Sequence, residues 1–352
     1  MRAERRRLSM WTMSPKIAAA SLIVACSRPT AAVPPAPPVD WRAFPATRQG
    51  SVLKDAATPA EREAADLYVT DLMTPRLRQL ASQLDADASG SFCGSDAVVG
   101  RDRVVELHEM LFGAFEDRRI VATRVFRTAS AQAVEWTMTG LQARDWMQVA
   151  ATHRPVAFRG ITLLWTKDDG TITDAHVYFD TAVVKGQLGV GPRELVDLPR
   201  PSMPAAEQRL EQMHTPVEMA NVATVRAQLD ALEARDESSY LSFVTDDLEM
   251  FTPEHSDALR GKVAAKTYYE AMDHAIGQLD TTVRQVWGIA SFVVVEYSIA
   301  GVQLAPIGRV PLVRDHVVGL HIVDVAQLRD ERIERIWRYD NLAEVAAGGP
   351  AR

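Results

Sequence analysis

Two stretches of the chain decide its fold: Val134-Glu135-Trp136-Thr137-Met138-Thr139-Gly140 and Val295-Glu296-Tyr297-Ser298-Ile299-Ala300-Gly301. They lie inside an internal repeat, because residues 95–141 and 256–302 align without a gap. Of the 47 aligned positions 12 are identical, and many mismatches keep the size and polarity of the side chain, as in Trp136/Tyr297. A duplicated pattern of buried residues produces this similarity, so we predict two domains of one fold.

In the first half, helical segments precede the repeated stretch and strands surround it. A helix broken near Pro75 is predicted over 59–84, and apolar residues after Gly100 recur at the helical period for about 17 residues. The polar segment 85–94, rich in small residues, is predicted to be a loop. Alternating β-branched and aromatic residues predict strands at 120–126, 131–141, 156–166 and 172–179.

The second half repeats this order. Helices are predicted over 218–235 and 262–279, and strands at 248–251, 282–287, 291–302, 316–327 and 332–339. Helices combined with antiparallel strands give an α+β fold class. We predict domains at 56–189 and 205–347, joined by a linker at 190–204 that is rich in glycine and proline.

The first 26 residues are typical of a bacterial lipoprotein signal peptide. A basic flank precedes the apolar run 17–25, which is shorter than the roughly 20 residues that span a bilayer. The run ends in the lipobox-like sequence Ile23-Val24-Ala25-Cys26, so we expect cleavage before Cys26 and lipidation of its thiol. The alternatives are an ordinary secretory signal and a true start at Met13. Residues 27–55, rich in proline and alanine, are predicted to be an extended tether.

Composition excludes several classes of protein. The formal net charge of -7 and the lack of a basic stripe argue against nucleic acid as a partner. With Cys26 lipidated, Cys93 is the remaining thiol, so no intramolecular disulfide is predicted. Neither metal-ligand spacing nor a glycine-rich phosphate loop is present in the sequence, so we predict no metal and no cofactor.

Both halves resemble the nuclear transport factor 2 superfamily and, more narrowly, SnoaL-like polyketide cyclase domains. The resemblance covers roughly 280 residues. It implies two tandem cone-shaped domains, each with helices packed on a strongly curved antiparallel sheet. Because the family includes cyclases, isomerases and epoxide hydrolases, it implies no single activity. The residues that carry it are the two quoted stretches together with Gly100, Asp169-Gly170-Thr171-Ile172, Tyr178-Phe179-Asp180, Gln187-Leu188-Gly189 and Trp337-Arg338-Tyr339-Asp340.

The resemblance also implies catalytic candidates. SnoaL-like cyclases place an acid/base aspartate at the end of the last strand, and Asp180 and Asp340 are the matching positions. A carboxyl group at the mouth of an apolar cone has its pKa raised toward the range that suits proton transfer beside a carbonyl. The alternative is that both aspartates cap the strand end and bond local backbone amides.

Further polar candidates differ between the halves. His176 and His108 could polarise a substrate in the first half, and His321 could substitute in the second, which slightly favours the first. An unpaired buried carboxylate is costly, so Glu135 and Glu296 either form ion pairs, for Glu135 with Arg124, Arg127 or Arg159, or line a pocket. The predicted ligand-binding residues are Trp136, Glu135, Tyr178, Tyr297, Glu296, Trp337 and His321.

The predicted function is therefore that of an envelope lipoprotein whose domains bind a small hydrophobic molecule, with acid/base chemistry of the cyclase or isomerase type as the catalytic option. The alternative is a non-catalytic interaction or scaffold module of the envelope. Ser27 after the cysteine favours the outer membrane, on its periplasmic or surface side, with the lipid as the membrane contact. Family members commonly pair through their outer sheet faces, and apolar residues on both faces of these strands predict a monomer with an internal pseudo-dimer.

Overall fold

A computed structural model describes most of the chain after the predicted signal peptide and tether, which lie outside the described residues together with Cys26. The described residues belong to one compact unit. Among them, no helix is both long and apolar enough to cross a membrane. The described ranges are 57–73, 77–191, 193–196, 198–202, 207–313 and 316–347.

The first half is a seven-stranded sheet in the order β2-β1-β6-β5-β4-β3-β7. Its pairs are antiparallel except β1/β6 and β3/β7, which are parallel. Its elements are α1 (Pro59–Met73), a 3-10 helix (Leu77–Ser82), β1 (Leu84–Phe92), β2 (Val98–Val99), α2 (Arg101–Phe112), β3 (Phe115–Arg127), β4 (Ala131–Gln142), β5 (Pro155–Thr166), β6 (Ile172–Tyr178), α3 (Thr181–Gln187), α4 (Arg193–Val196) and β7 (Gln208–Glu211).

The second half is a six-stranded sheet in the order β10-β11-β12-β13-β8-β9. Helix α5 begins with a capping box between Thr215 and Glu218 and has Pro216 in its first turn, which satisfies the free amides at its start. The elements are α5 (Pro216–Glu233), α6 (Glu237–Ser242), β8 (Val244–Phe251), β9 (Leu259–Arg260), α7 (Gly261–Ala275), β10 (Ile276–Ile289), β11 (Phe292–Gln303), β12 (Val317–Arg329), β13 (Arg332–Tyr339) and α8 (Ala343–Ala347).

Each half has its own core between its helices and one face of its sheet. In the first half, side chains of α1 and α2 such as Leu72 and Leu111 cluster with Val134 of β4. In the second, Leu229 of α5 and Ala265 of α7 cluster with strand residues of β11 to β13. We call these two interiors cone 1 and cone 2. The predicted α+β class with two tandem cone-shaped domains is confirmed, and neither sheet closes into a barrel.

Two sequence predictions about elements are wrong. Residues 85–94 are mostly strand β1, which pairs with β6, and not a loop. The small residues that suggested a loop are needed because α2 lies close: a Cβ on Gly90 would be 3.3 Å from Val104. Helices α2 and α7 are also shorter than predicted, since β3 already begins at Phe115 and β10 at Ile276.

The outer faces of the two sheets pack against each other. An apolar cluster combines Phe126, Ile161 and Leu163 of the first half with Phe292 and Val323 of the second. Strand β7 pairs with β3, so the first residues of the second predicted domain extend the sheet of the first. The halves therefore share a buried interface that places polar side chains of one against the other.

Candidate functional site

Cone 1 is filled by aromatic rings. Trp136 lies at its centre with Phe112, Phe158 and Phe179 around it, at ring-centroid distances of 5.7, 5.9 and 6.1 Å. The indole Nε1 donates a 3.0 Å hydrogen bond to Thr162 Oγ1, so its polar atom is satisfied inside the protein. Trp136, a predicted ligand-binding residue, acts here as the centre of a packed core.

His108 also lies in cone 1, as a neutral core histidine. Its Nδ1 is 2.8 Å from the carbonyl oxygen of Val104 and must carry a proton, so Nε2 accepts a hydrogen bond of 2.9 Å from the Tyr68 hydroxyl. Burial lowers the pKa of His108 to about 4. Both ring nitrogens are used within the fold.

Cone 2 carries polar residues where cone 1 carries aromatic and apolar ones. In the first sheet, Glu135 pairs with Ile161, which in turn pairs with Tyr178. In the second sheet, Glu296 pairs with Val323, which in turn pairs with Tyr339. The two registers therefore match, and Tyr297 is equivalent to Trp136. By the same register, Asp324 replaces Thr162 and Arg338 replaces Val177. The interior that sequence reasoning ranked second is therefore the more polar of the two.

Arg338, Asp324 and Tyr297 form one hydrogen-bonded network in cone 2. Arg338 Nε and Nη2 donate to the two oxygens of Asp324 at 2.9 and 2.7 Å, a bidentate pair. Arg338 Nη2 also donates to the Tyr297 hydroxyl at 2.9 Å, and that hydroxyl donates to Asp324 Oδ2 at 2.8 Å. The guanidinium lies 4.2 Å from the ring centroid of Tyr268 on α7. These four residues and Asp340 are called the cone-2 cluster below.

Asp340 follows β13 and is buried, with 4% of its surface exposed. Burial raises its pKa well above the usual range, the negative charges of Glu254 and Asp180 add to this, and Arg338 opposes it. Its Oδ1 has no hydrogen-bond partner among the described residues. Burial therefore favours the protonated form of Asp340, which has one polar atom left for another molecule.

The register shows that Asp180 and Asp340 are not equivalent positions. Tyr178 and Tyr339 are equivalent, so Asp340 corresponds to Phe179, and Asp180 corresponds to Asn341. Asp180 accepts a 2.7 Å hydrogen bond from the Ala182 amide and so caps α3, as the local alternative proposed. Burial raises its pKa to about 7.

Asp180 also lines a cavity of about 350 Å³ between the two halves. We call it the interdomain cavity. Its walls come from the outer face of the first sheet, from residues 198–202, and from β8, the loop after it and the end of β13. Trp337, another predicted ligand-binding residue, lines this cavity and stacks on Phe251, with ring centroids 5.4 Å apart and an angle of 4° between the planes.

Glu135 and Glu296 lie in the interface and not in a cone. The predicted ion pair of Glu135 is present: Arg124 approaches both carboxylate oxygens, with Nη2 at 2.8 Å from Oε1. Glu296 Oε1 is 2.7 Å from His176 Nδ1 and accepts a 2.7 Å hydrogen bond from the Tyr178 hydroxyl. His176 and Tyr178, both site candidates, thus contact the other half of the chain.

Charges determine the protonation of this interface. Burial disfavours the His176 cation, but Glu296 and Asp174 outweigh it and raise its pKa to about 10. Burial likewise opposes the Glu296 anion, yet His176 lowers its pKa to about 2. His321 Nδ1 lies 2.8 Å from Glu344 Oε2, where burial lowers the histidine pKa to about 4 and raises that of Glu344. The first pair is therefore ionic, whereas burial favours the neutral forms of both groups in the second pair.

Sequence reasoning missed Asp324, Arg338 and Tyr268 as site residues. A signal for two of them exists, because Asp324 interrupts the apolar run Ile322 to Ala326 and Arg338 lies between two aromatic residues at a strand end. A charged side chain at a core-facing strand position needs a buried partner. Among the described residues, no group of three or more histidine, cysteine, aspartate or glutamate side chains could hold a metal ion.

Two family models match the chain. A SnoaL-like polyketide cyclase model matches residues 63–188, and a SnoaL-like domain model matches residues 225–336. Comparison with curated proteins gives no match.

Three of the similar solved structures each match a segment of this chain that is about the length of one domain. A candidate SnoaL-like polyketide cyclase from Jannaschia sp. CCS1 is 23% identical over 39% of this chain and 98% of its own, with a TM-score of 0.35. An epoxide hydrolase of the LEH-like type from M. tuberculosis is 20% identical over 37% and 89%, with a TM-score of 0.30. A candidate ketosteroid isomerase from Kribbella flavida DSM 17836 is 16% identical over 35% and 78%, with a TM-score of 0.27. By its family models and its two sheets, this protein is a chain of two tandem SnoaL-like domains.

Proposed function

We propose that the second SnoaL-like domain binds a small molecule inside cone 2 and that the first domain is its structural partner. The observation that carries this proposal is the exchange of side chains at equivalent positions. Trp136, Thr162, Val177 and Phe179 pack cone 1, whereas Tyr297, Asp324, Arg338 and Asp340 occupy these places in cone 2. Buried charged groups cost stability even when they are paired, and such groups cluster at functional sites.

The cone-2 cluster supports acid/base chemistry of the cyclase or isomerase type. Burial favours the protonated form of Asp340, which can donate a proton to a carbonyl or enolate oxygen and take one back. The bidentate contact with Asp324 orients Arg338, whose Nη1 takes no part in the network. A guanidinium held in this way can stabilise negative charge that develops on a substrate oxygen.

Equilibrium dialysis of the full chain against a bacterial metabolite extract, followed by mass spectrometry, tests this proposal. We expect the parent to enrich a small molecule and Asp340→Asn and Arg338→Lys to lose the enrichment. Asp169→Asn, which changes an exposed carboxylate at a turn of the first half, is the matched control and should retain it. Circular dichroism of each variant separates loss of binding from loss of fold. No enrichment by the folded parent would favour a non-catalytic scaffold, and equal enrichment by all folded variants would place the bound molecule outside cone 2.

We also propose, from the sequence, that the chain is an envelope lipoprotein anchored through Cys26. The signal-like segment and the lipobox-like residues before Cys26 support this proposal. Intact-mass measurement of the protein from a bacterial membrane fraction should give a mature chain that begins at Cys26 and carries acyl groups. Cys26→Ser should remove the acyl mass and release the protein from the membrane fraction. An unmodified chain in that fraction would contradict the proposal.

A monomeric state is the third proposal. The outer sheet faces, through which related domains pair, are occupied here by the other half of the same chain. Light scattering coupled to size-exclusion chromatography should give the mass of one chain, and a mass of two chains would overturn the proposal.

A further inference from the structure

The interdomain cavity lies between the two halves against the outer face of the first sheet, whereas the two cones lie between each sheet and its own helices. We propose that this cavity is a second binding site, which takes a small organic anion and holds its carboxylate or phosphate group with Arg159 and Arg200. A single SnoaL-like domain cannot form the site, since its walls come from both halves and from the segment between them.

The charges that line the cavity favour an anion. Arg159 of β5 and Arg200 of the segment 198–202 line it, and among the described residues neither has an ion-pair or hydrogen-bond partner. Arg338 also lines the cavity, but its charge is matched by Asp324. The side chains of Arg159 and Arg200 are both exposed. Guanidinium groups bind carboxylate and phosphate oxygens in bidentate geometry, so two of them at the wall of one cavity favour an anion as its ligand.

Asp180 is the one acidic residue among the described residues of the wall, and it opposes the anion only weakly. Asp180 is largely uncharged below neutral pH because burial raises its pKa to about 7. In that state its carboxylic acid can donate a hydrogen bond to the bound anion. His255, held at 2.8 Å from the Thr252 hydroxyl, adds a further polar group to the wall.

The remaining walls accommodate the apolar part of such a molecule. The stacked rings of Trp337 and Phe251 and the side chain of Tyr339 line the cavity, together with the proline residues of segment 198–202. A volume of about 350 Å³ lies at the lower end of the range of small-molecule sites. The site therefore suits a compact anion with one ring or a short chain.

Fluorine NMR of the full chain with three related probes tests this proposal. The probes are para-fluorobenzoate, para-fluorophenyl phosphate and neutral para-fluorobenzamide, which share a ring but differ in charge. We expect both anions, or one of them, to bind, and the amide to bind about tenfold more weakly or not at all, because it lacks the charge-assisted contacts. Which anion binds more tightly decides between a carboxylate and a phosphate ligand.

Substitutions then locate the site. Arg159→Gln and Arg200→Gln should each weaken anion binding by about tenfold or more. Arg226→Gln, which removes an exposed arginine on α5, is the matched control and should leave the affinity unchanged. Failure of both anions to bind at millimolar concentration, equal binding of the amide, or unchanged affinity in both folded arginine variants would overturn the proposal.

Discussion

The hydroxyl of Tyr339 donates a 2.6 Å hydrogen bond to Oε1 of Glu135, which lies in the opposite half of the chain. The same contact occurs in reverse, because Tyr178 donates at 2.7 Å to Oε1 of Glu296. The strand register makes the two tyrosines equivalent and the two glutamates equivalent, so the halves exchange one contact about a local two-fold relation. The glutamates that mark the repeat in the sequence thus mark the interface in the structure.

The two contacts differ in their counter-charges. Glu135 is paired with Arg124, whose guanidinium lies 3.6 Å from the ring centroid of Trp337, a cation–π contact across the interface. Glu296 is paired with His176, which occupies the position equivalent to Trp337. Glu135 and Glu296 therefore occupy equivalent positions but have different cationic partners.

Tyr178→Phe and Tyr339→Phe should each lower the free energy of unfolding by about 1.5–3 kcal/mol, the range for hydrogen bonds to charged groups. Each substitution leaves a buried carboxylate with one hydrogen bond fewer. Urea titration followed by tryptophan fluorescence measures the change, with Tyr269→Phe in the second core as a control outside the interface. Unchanged stability in both interface variants would mean that these bonds contribute nothing net.

Gly94→Ala should strongly destabilise the protein, by about 3 kcal/mol or more, because a new methyl group must displace a buried ring. A Cβ at Gly94 would lie 2.0 Å from the His321 ring across the interface, and φ at Gly94 is +67°. Gly100→Ala is the matched control: φ is +103°, and no atom lies within 4 Å of its Cβ position. We expect that control to lose only about 1–2 kcal/mol from backbone strain. Thermal melts compare the two, and equal losses would refute a steric role for His321.

Glu296→Gln should lower the pKa of His176 by about 1–3 units, because it removes the nearer of two carboxylates that favour the imidazolium. The value in the parent is about 10, since Glu296 and Asp174 outweigh the opposing effect of burial. NMR titration of the imidazole resonances measures the shift. Glu249→Gln, which removes a half-buried ion-pair partner of Arg335 and Arg260, should leave the His176 pKa unchanged. A pKa of His176 that is the same in both variants would contradict the charge pairing.

Asp180→Asn should alter how stability depends on pH. The folded-state pKa of about 7 is raised above the unfolded value of 3.8, so the folded protein binds the extra proton between these values. This contribution is fully present below the unfolded pKa and is lost as the pH rises through the folded one. As the pH rises from 5 to 8, the parent should therefore lose about 2–3 kcal/mol of unfolding free energy that Asp180→Asn does not lose.

Urea titrations at both pH values measure this difference. Asp169→Asn, at an exposed turn where a backbone hydrogen bond lowers the carboxyl pKa, should show a constant offset from the parent over the same range. A constant offset for Asp180→Asn as well would show that Asp180 is ionised throughout, and it would remove the physical basis for its weak opposition to an anion.

Most of the architecture could be read from the chain because helical and strand periods are local properties. The helix after Gly100, the strands around Val134 and Val295, and the duplication follow from side-chain spacing alone. Strand β1 did not, since its pairing partner β6 lies about 80 residues away and its small side chains fit only beneath α2. Pairing over such distances leaves no local period to read.

The candidate sites were less accessible from sequence. Asp180 and Asp340, which end the two motifs, could be identified from the sequence. Their orientation could not, because a shift of one residue in strand register turns a side chain to the opposite face. Only the register shows that Asp340 replaces Phe179 and that His176 and Tyr178 face the other half. The arginines of the interdomain cavity could not be found at all, because that cavity exists only where the two halves meet.

The sequence by itself determined that this chain carries one α+β architecture twice, because a buried pattern constrains each copy separately. Tertiary structure alone decided where chemistry is possible. It joined the outer sheet faces, so that Glu135 and Glu296 bind tyrosines of the opposite half instead of a ligand. It also placed Asp324 and Arg338 together inside one cone while aromatic rings filled the other. The physical reason is that a carboxylate or a guanidinium has no fixed role until folding sets its burial and its partner.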